Sequence, residues 1–165
     1  MVKRGIILSA LVGLAGLVIF LYLHSGEEEK IRKQFSLLAK WVSMEPNENV
    51  FNAAYKMKNM GDLFTEKVKM KIPDYNLGGE YSKAEIIGYA ARARLPFSKF
   101  TLSFYDWQIS FADSATARVT VTSRITGQWV QGEELEDTRE LEWVLKKIEK
   151  DWRFSEMEVV EVLKK

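Results

Sequence analysis

Between Phe100 and Phe111 the large apolar residues change parity. Phe100, Leu102 and Phe104 fall on even positions, whereas Trp107, Ile109 and Phe111 fall on odd ones. A strand alternates its side chains with a period of two, so the pattern demands an extra residue near Tyr105-Asp106, a β-bulge. Bulges bend sheets and recur beside binding sites, which makes Asp106 the candidate catalytic group. A carboxylate desolvated in a pocket has a raised pKa and can act as a general base, with Tyr89 or Tyr105 as hydrogen-bond donor. The competing reading is a solvated bulge residue whose carboxylate bonds its own backbone.

Two further groups carry possible binding chemistry. Phe104, Trp107, Trp129, Trp143 and Trp152, with Tyr89, could enclose a small, flat apolar ligand by stacking, while Tyr89 or Arg92 orients a polar group on it. The same aromatics, at alternating strand positions, also suit a plain core. Thr120, Thr122, Arg124, Thr126 and Gln128 form a polar, largely β-branched and uncharged ladder. It fits a sheet face that pairs with a protein partner or a second copy, and equally a solvated face.

Composition removes most other chemistries. The 165 residues contain no cysteine and one histidine, His24. The missing cysteines exclude disulfides, thiolate zinc sites and cysteine nucleophiles. A lone histidine beside the apolar N-terminal run leaves almost no room for imidazole metal sites or a Ser-His-Asp triad, so no metal site is expected. Nothing matches a P-loop, Rossmann fingerprint, EF-hand or zincin, so no cofactor is expected either. Lys and Arg total 24 against 23 Asp and Glu. That balance gives no field to attract nucleic acid.

The elements that must position these residues are legible in outline. Ile31, Phe35, Leu38 and Val42 form one stripe of a helix from about Glu27 to Ser43. A second helix, from near Asn47 to about Gly61, places Phe51, Ala54 and Tyr55 on one side. Leu63 and Phe64 plug a core before a strand from Val68 to Ile72, where Lys67, Lys69 and Lys71 share an exposed face. Asn76 to Gly79 reads as a loop. Ser82 and Glu85 form a capping box for a third helix, Lys83 to Arg94. From there the period becomes two: Lys99 to Phe111, Ala115 to Val130, a segment around Leu141, Trp143 and Leu145, and Trp152 to Val162. Glu133 to Glu142 reads as an acidic solvated edge that discourages edge pairing. Three helices followed by a bent antiparallel meander make an α+β domain.

This layout resembles the NTF2-like (SnoaL-like, cystatin-like) superfamily. The likeness rests on Asn52-Ala53-Ala54-Tyr55 leading to Leu63-Phe64, the Val68–Pro73 strand, and the capped helix from Ser82. Also similar are the Asp113–Val121 hairpin and the terminal Glu149-Lys150-Asp151-Trp152-Arg153-Phe154. The resemblance implies three helices packed on a curved antiparallel sheet, a cone spanning residues 27–165. It also implies the option of dimerisation through the back of the sheet. Its members include isomerases, cyclases and dehydratases as well as non-catalytic binding modules, and no catalytic residue carries over by motif.

The N-terminus points to a location. Gly5 to Leu23 is 19 residues without a charge, roughly 28 Å as a helix and close to a bilayer's hydrocarbon core. Lys3 and Arg4 precede it and Glu27, Glu28 and Glu29 follow. The expectation is a single-pass anchor in a bacterial inner membrane: residues 1–4 in the cytoplasm, 5–23 across the lipid, and a juxtamembrane stretch over 24–30. The domain is then expected in the periplasm or outside. A cleaved signal peptide is the alternative, but the exit around Leu23 to Gly26 lacks an A-x-A-like site. Gly5, Ser9, Gly13 and Gly16 form a small-residue stripe suited to close helix packing. The function expected from the whole is a membrane-anchored, non-catalytic binding or assembly module. The alternatives are an isomerase or dehydratase using Asp106, or a carrier of a small apolar ligand.

Overall fold

Helix caps and strand alternation shape the part of the chain that the computed structural model describes, residues 26–162. The expected membrane segment, with Gly5, Ser9, Gly13 and Gly16, lies outside the described residues. Among the described residues no helix is long and apolar enough to cross a membrane. The chain divides into two units, residues 1–33 and 34–165. In the first, residues 26–33 are helical, and Lys30 Nζ donates to Glu27 Oε1 at 2.7 Å one turn away.

The helix α1 occupies residues 26–42. Within the second unit its Phe35 and Leu38 are buried, as the stripe required. Helix α2, Val50–Gly61, starts on Asn49, whose side chain accepts from the Asn52 N–H at 2.8 Å. Its buried residues are Met57, Met60 and Gly61. The side carrying Phe51, Ala54 and Tyr55 faces outward, because α2 packs through its C-terminal turns. A Cβ on Gly61 would lie 2.5 Å from Ile87 Cδ1 on the next helix, so a larger residue there would require the Ile87 side chain to shift. That helix, α3, spans Lys83–Arg94 and begins with the expected box: the Glu85 N–H donates to Ser82 Oγ at 3.3 Å and the Ser82 N–H to Glu85 Oε2 at 2.7 Å.

Six strands form one sheet: β1 (Phe64–Ile72), β2 (Leu77–Ser82), β3 (Phe97–Asp113), β4 (Thr116–Trp129), β5 (Glu134–Ile148) and β6 (Asp151–Val162), in the order β2-β1-β6-β5-β4-β3. The fold is α+β, three helices and a six-stranded sheet. Three expectations need correction. The stretch expected as a loop around Gly78-Gly79 is the edge strand β2, paired antiparallel with β1. The sheet is not wholly antiparallel, since the last strand returns beside β1 and pairs with it in parallel. Glu133 to Glu142 is not an edge, because β5 lies between β4 and β6 and its acidic residues project from an interior strand.

Two charged clusters brace the unit. Glu48, just before α2, has a buried side chain paired with both Arg94, at the end of α3, and Lys56. The Lys56 ammonium also donates to the Ser43 carbonyl at 3.0 Å, which draws α1's end into the same cluster. Arg139 donates to Asp137 at 2.7 Å and to Asp74 at 2.6 Å. These bonds, the one to Asp137 first, raise the guanidinium's already high pKa against the opposing effect of burial.

The capping box has a pH signature. Hydrogen bonds from the Ser82 backbone and then its hydroxyl hold Glu85 below its ordinary 4.5. A carboxylate with a depressed folded pKa stabilises the fold above its unfolded value and loses that contribution as pH falls through the folded one. In urea melts, Glu85→Ala is therefore expected to be less stable than wild type at neutral pH, with the gap closing under acid. A gap that stays constant would refute the carboxylate's role.

Candidate functional site

The bulge expected in β3 is present. Pairing with β4 slips between Tyr105 and Gln108, and Asp106 adopts φ 54°, a left-handed conformation that aspartate tolerates better than most residues. With that extra residue, Phe104 and Trp107 both turn inward. They meet Phe35, whose ring also touches Trp143 and Phe154; centroid separations are 5.1, 5.0, 5.9 and 4.8 Å and all four contacts are edge-on. Edge-to-face pairs add about 0.5–1.5 kcal/mol each beyond simple burial. The space beneath the bend is occupied by this ring.

The aromatic set expected to line one pocket is therefore divided. Phe104, Trp107 and Trp143 converge on Phe35. Trp129 stacks at 4.3 Å on Phe97, and Trp152 lies 5.9 Å from Phe111. Tyr89 and Arg92 sit on the exposed side of α3, the guanidinium 5.0 Å over the ring. Strand length separates them: β4 alone has 14 residues and is roughly 46 Å long. Asp106 is exposed, not aimed into an enclosed pocket, since a residue at the bulge's apex points away from the side its neighbours fill.

The larger concavity lies across the opposite face of the sheet. It has a volume of about 860 Å³ and runs across all six strands, from β2 and β1 over β6, β5 and β4 to β3. Strand register builds it in two rows. Lys71, Glu158, Glu142, Thr120 and Gln108 stand side by side, as do Lys69, Glu156, Val144, Arg118 and Ser110. The first rungs are neutralised: Lys71 pairs with Glu158, and Lys69 lies 3.6 Å from Glu156. At the edge, Lys67 donates to Glu80 at 2.8 Å, a bond that raises the lysine's pKa and lowers the carboxylate's, with charge attraction adding in the same sense. Arg118 and Glu142 are exposed and have no ion-pair partner among the described residues.

The polar ladder lies on this face. Thr120 lines the groove, and Thr126 and Gln128 line a second hollow of about 430 Å³ with Lys99, Glu134 and Glu136. Arg124 pairs with Glu136 at 2.9 Å, and Thr122 stands beside Tyr105 and Glu140 in register. Sequence reasoning missed Glu142, Glu156 and Glu158. Their alternation with Trp143 and Met157 was readable, but their meeting with Lys69, Lys71 and Arg118 depends on register between distant strands. The surface offers donors and acceptors to another polar surface, and no enclosed acid/base pair.

No protein-family model matches the chain, and no curated protein matches it. Solved structures do. The Kfla4162 protein of Kribbella flavida aligns with a TM-score of 0.70 at 10% identity, covering 83% of this chain and 91% of that one. A proposed scytalone dehydratase from Novosphingobium aromaticivorans gives 0.65 at 13%, over 82% and 84%. The hexachlorocyclohexane dehydrochlorinase LinA-type3 of Novosphingobium barchaimii LL02 gives 0.62 at 9%, over 83% and 87%. At such identities the likeness is one of fold, and the fold is the NTF2-like one.

Phe35 is fully buried at the meeting point of four rings. Phe35→Ala is expected to cost about 3–5 kcal/mol, measurable by urea denaturation. A cost below about 1 kcal/mol would show that the interior is not closed by this ring.

Proposed function

We propose that this chain is a membrane-tethered, extracytoplasmic binding or assembly module whose working surface is the outer face of its sheet. In this reading Gly5–Leu23 is an uncleaved anchor in a bacterial inner membrane, the first four residues are cytoplasmic, and the NTF2-like unit acts in the periplasm or outside. The charge-free run and the basic residues before it support the anchor. The observation that carries the binding role is the contrast between the two sides of the sheet. Phe35 fills the inner side, while the outer side has an open polar groove with an arginine and a glutamate left over from the internal ion pairs.

The partner is a second copy of this chain or a different protein. Either would present a carboxylate to Arg118 and a cation to Glu142, with Gln108, Ser110, Thr120 and Thr122 completing the hydrogen bonds. Interfacial charges of this kind set register and discriminate against wrong partners. Full chain extracted in mild detergent is expected to behave as a homodimer or to retain a specific partner. Arg118→Glu is expected to weaken that association about tenfold or more, some 1.4 kcal/mol. A strictly monomeric wild-type chain with no companion would overturn the proposal.

A second reading has one specific observation behind it. The Trp143 indole N–H is buried without a partner among the described residues. A small apolar ligand bearing an acceptor could take that hydrogen bond if Phe35 turned aside, and two of the three similar structures named above bear enzyme names, a dehydratase and a dehydrochlorinase. The chain would then be a carrier, or an isomerase or dehydratase with Asp106 as base, although that carboxylate now faces solvent. Native mass spectrometry of the full chain separates the readings. A retained small molecule, lost in Trp143→Phe, decides for this second one; a bare mass decides for the first.

A further inference from the structure

Large apolar side chains are left uncovered around one end of the second unit. Phe51 is 87% exposed, Val50 81%, Leu95 76% and Val130 70%. They come from three separate junctions: the start of α2, the end of α3 and the β4–β5 turn. The buried Arg94–Glu48 pair ties the end of α3 to the segment leading into α2. The Val130 N–H donates to the Pro96 carbonyl at 3.0 Å, which brings the β4–β5 turn to the same end. Beside them the exposed Tyr55 meets Trp41 edge-on at 5.8 Å, and Lys40 stands 4.6 Å over the Trp41 ring. Lys58 continues the outward stripe of Phe51 and Tyr55 along α2. Single exposed hydrophobes are ordinary, but a group gathered at one end marks a contact surface.

We infer that this end docks on the lipid bilayer to which the chain is tethered. The residue types favour lipid over protein. Tryptophan and tyrosine settle at the membrane interface because their rings are apolar and their N–H and O–H ends stay wet. Lysines beside them bury their stems and keep their ammonium groups among the phosphates. The apolar tips project one or two at a time from three separate junctions, a shape that can sink between headgroups without requiring a complementary pocket. The proposal rests on the anchor of the proposed function, since a tether holds the unit at the surface and makes each weak insertion effectively intramolecular. Glu45 and Glu133 flank the patch, so the apolar tips carry the contact and zwitterionic lipid suffices.

The chain has no cysteine, so a single introduced thiol can carry an environment-sensitive fluorophore at a chosen place. The full chain is reconstituted in phosphatidylcholine vesicles with and without brominated acyl chains, labelled in turn at Val18→Cys, Phe51→Cys, Leu95→Cys and Lys150→Cys. Lys150 lies in the β5–β6 turn, at the far end of β5 from Val130. Labels at positions 51 and 95 are expected to be quenched by brominated lipid several-fold more than the label at 150. Adding Val50→Ser and Phe51→Ser should reduce quenching at position 95 several-fold; these exposed positions do not support the fold. Quenching at 18 but none at 51 and 95 would overturn the docking, leave the anchor standing and assign the patch to a protein partner. Absence of quenching at 18 would overturn the anchor and this proposal together.

Discussion

Two rings, Phe104 and Trp107, must both reach the same buried phenylalanine although they stand three positions apart on one strand. A regular strand would send them to opposite faces. The left-handed Asp106 resolves the conflict by adding a residue that the partner strand does not match, which bends β3 and returns both rings to the inner side. Phe35 then has four perpendicular neighbours, and the inner side of the sheet closes on a side chain of α1. The carboxylate at the bulge's apex is left in solvent by the same geometry. The bulge at Asp106 is thus the hinge of the packing.

Closing one face shifts interest to the other. Across the outer face each strand contributes alternate residues, and the register decides which charges meet. Lys69 and Lys71 are used up against Glu156 and Glu158, whereas Arg118 and Glu142 are not. Elsewhere charge has a different task. Glu48 and Arg94 bury their charged side chains against each other and, with the half-buried Lys56, tie the three helices together, an arrangement whose disruption would strand a buried charge. Surface pairs of the first kind contribute little stability and mainly define a pattern that a partner can read.

The NTF2-like fold supports unrelated activities, because its site residues are set on the scaffold independently of the scaffold itself. At identities of 10–13% to structures such as the Kribbella and Novosphingobium aromaticivorans proteins, shared architecture transfers no side chain. The function proposed for this chain is accordingly built on its own residues: a filled interior, a polar outer face, and an apolar end beside Trp41 and Lys40.

Local chemistry is legible in the amino-acid order alone. The capping box at Ser82 and Glu85, the bounds of α3, the bulge at Tyr105-Asp106 and the polar ladder from Thr120 to Gln128 depend on neighbours in sequence, and each appears where the spacing put it. Other features depend on residues far apart in the chain. Pairing of β1 with β6, the interior position of acidic β5, the strand character of Leu77 to Ser82 and the outward turn of Phe51 and Tyr55 follow from which surfaces meet. So does the division of the tryptophans into separate clusters. Periodicity states that a residue belongs to one face of its element; only packing between distant elements decides whether that face meets the core, a partner or water.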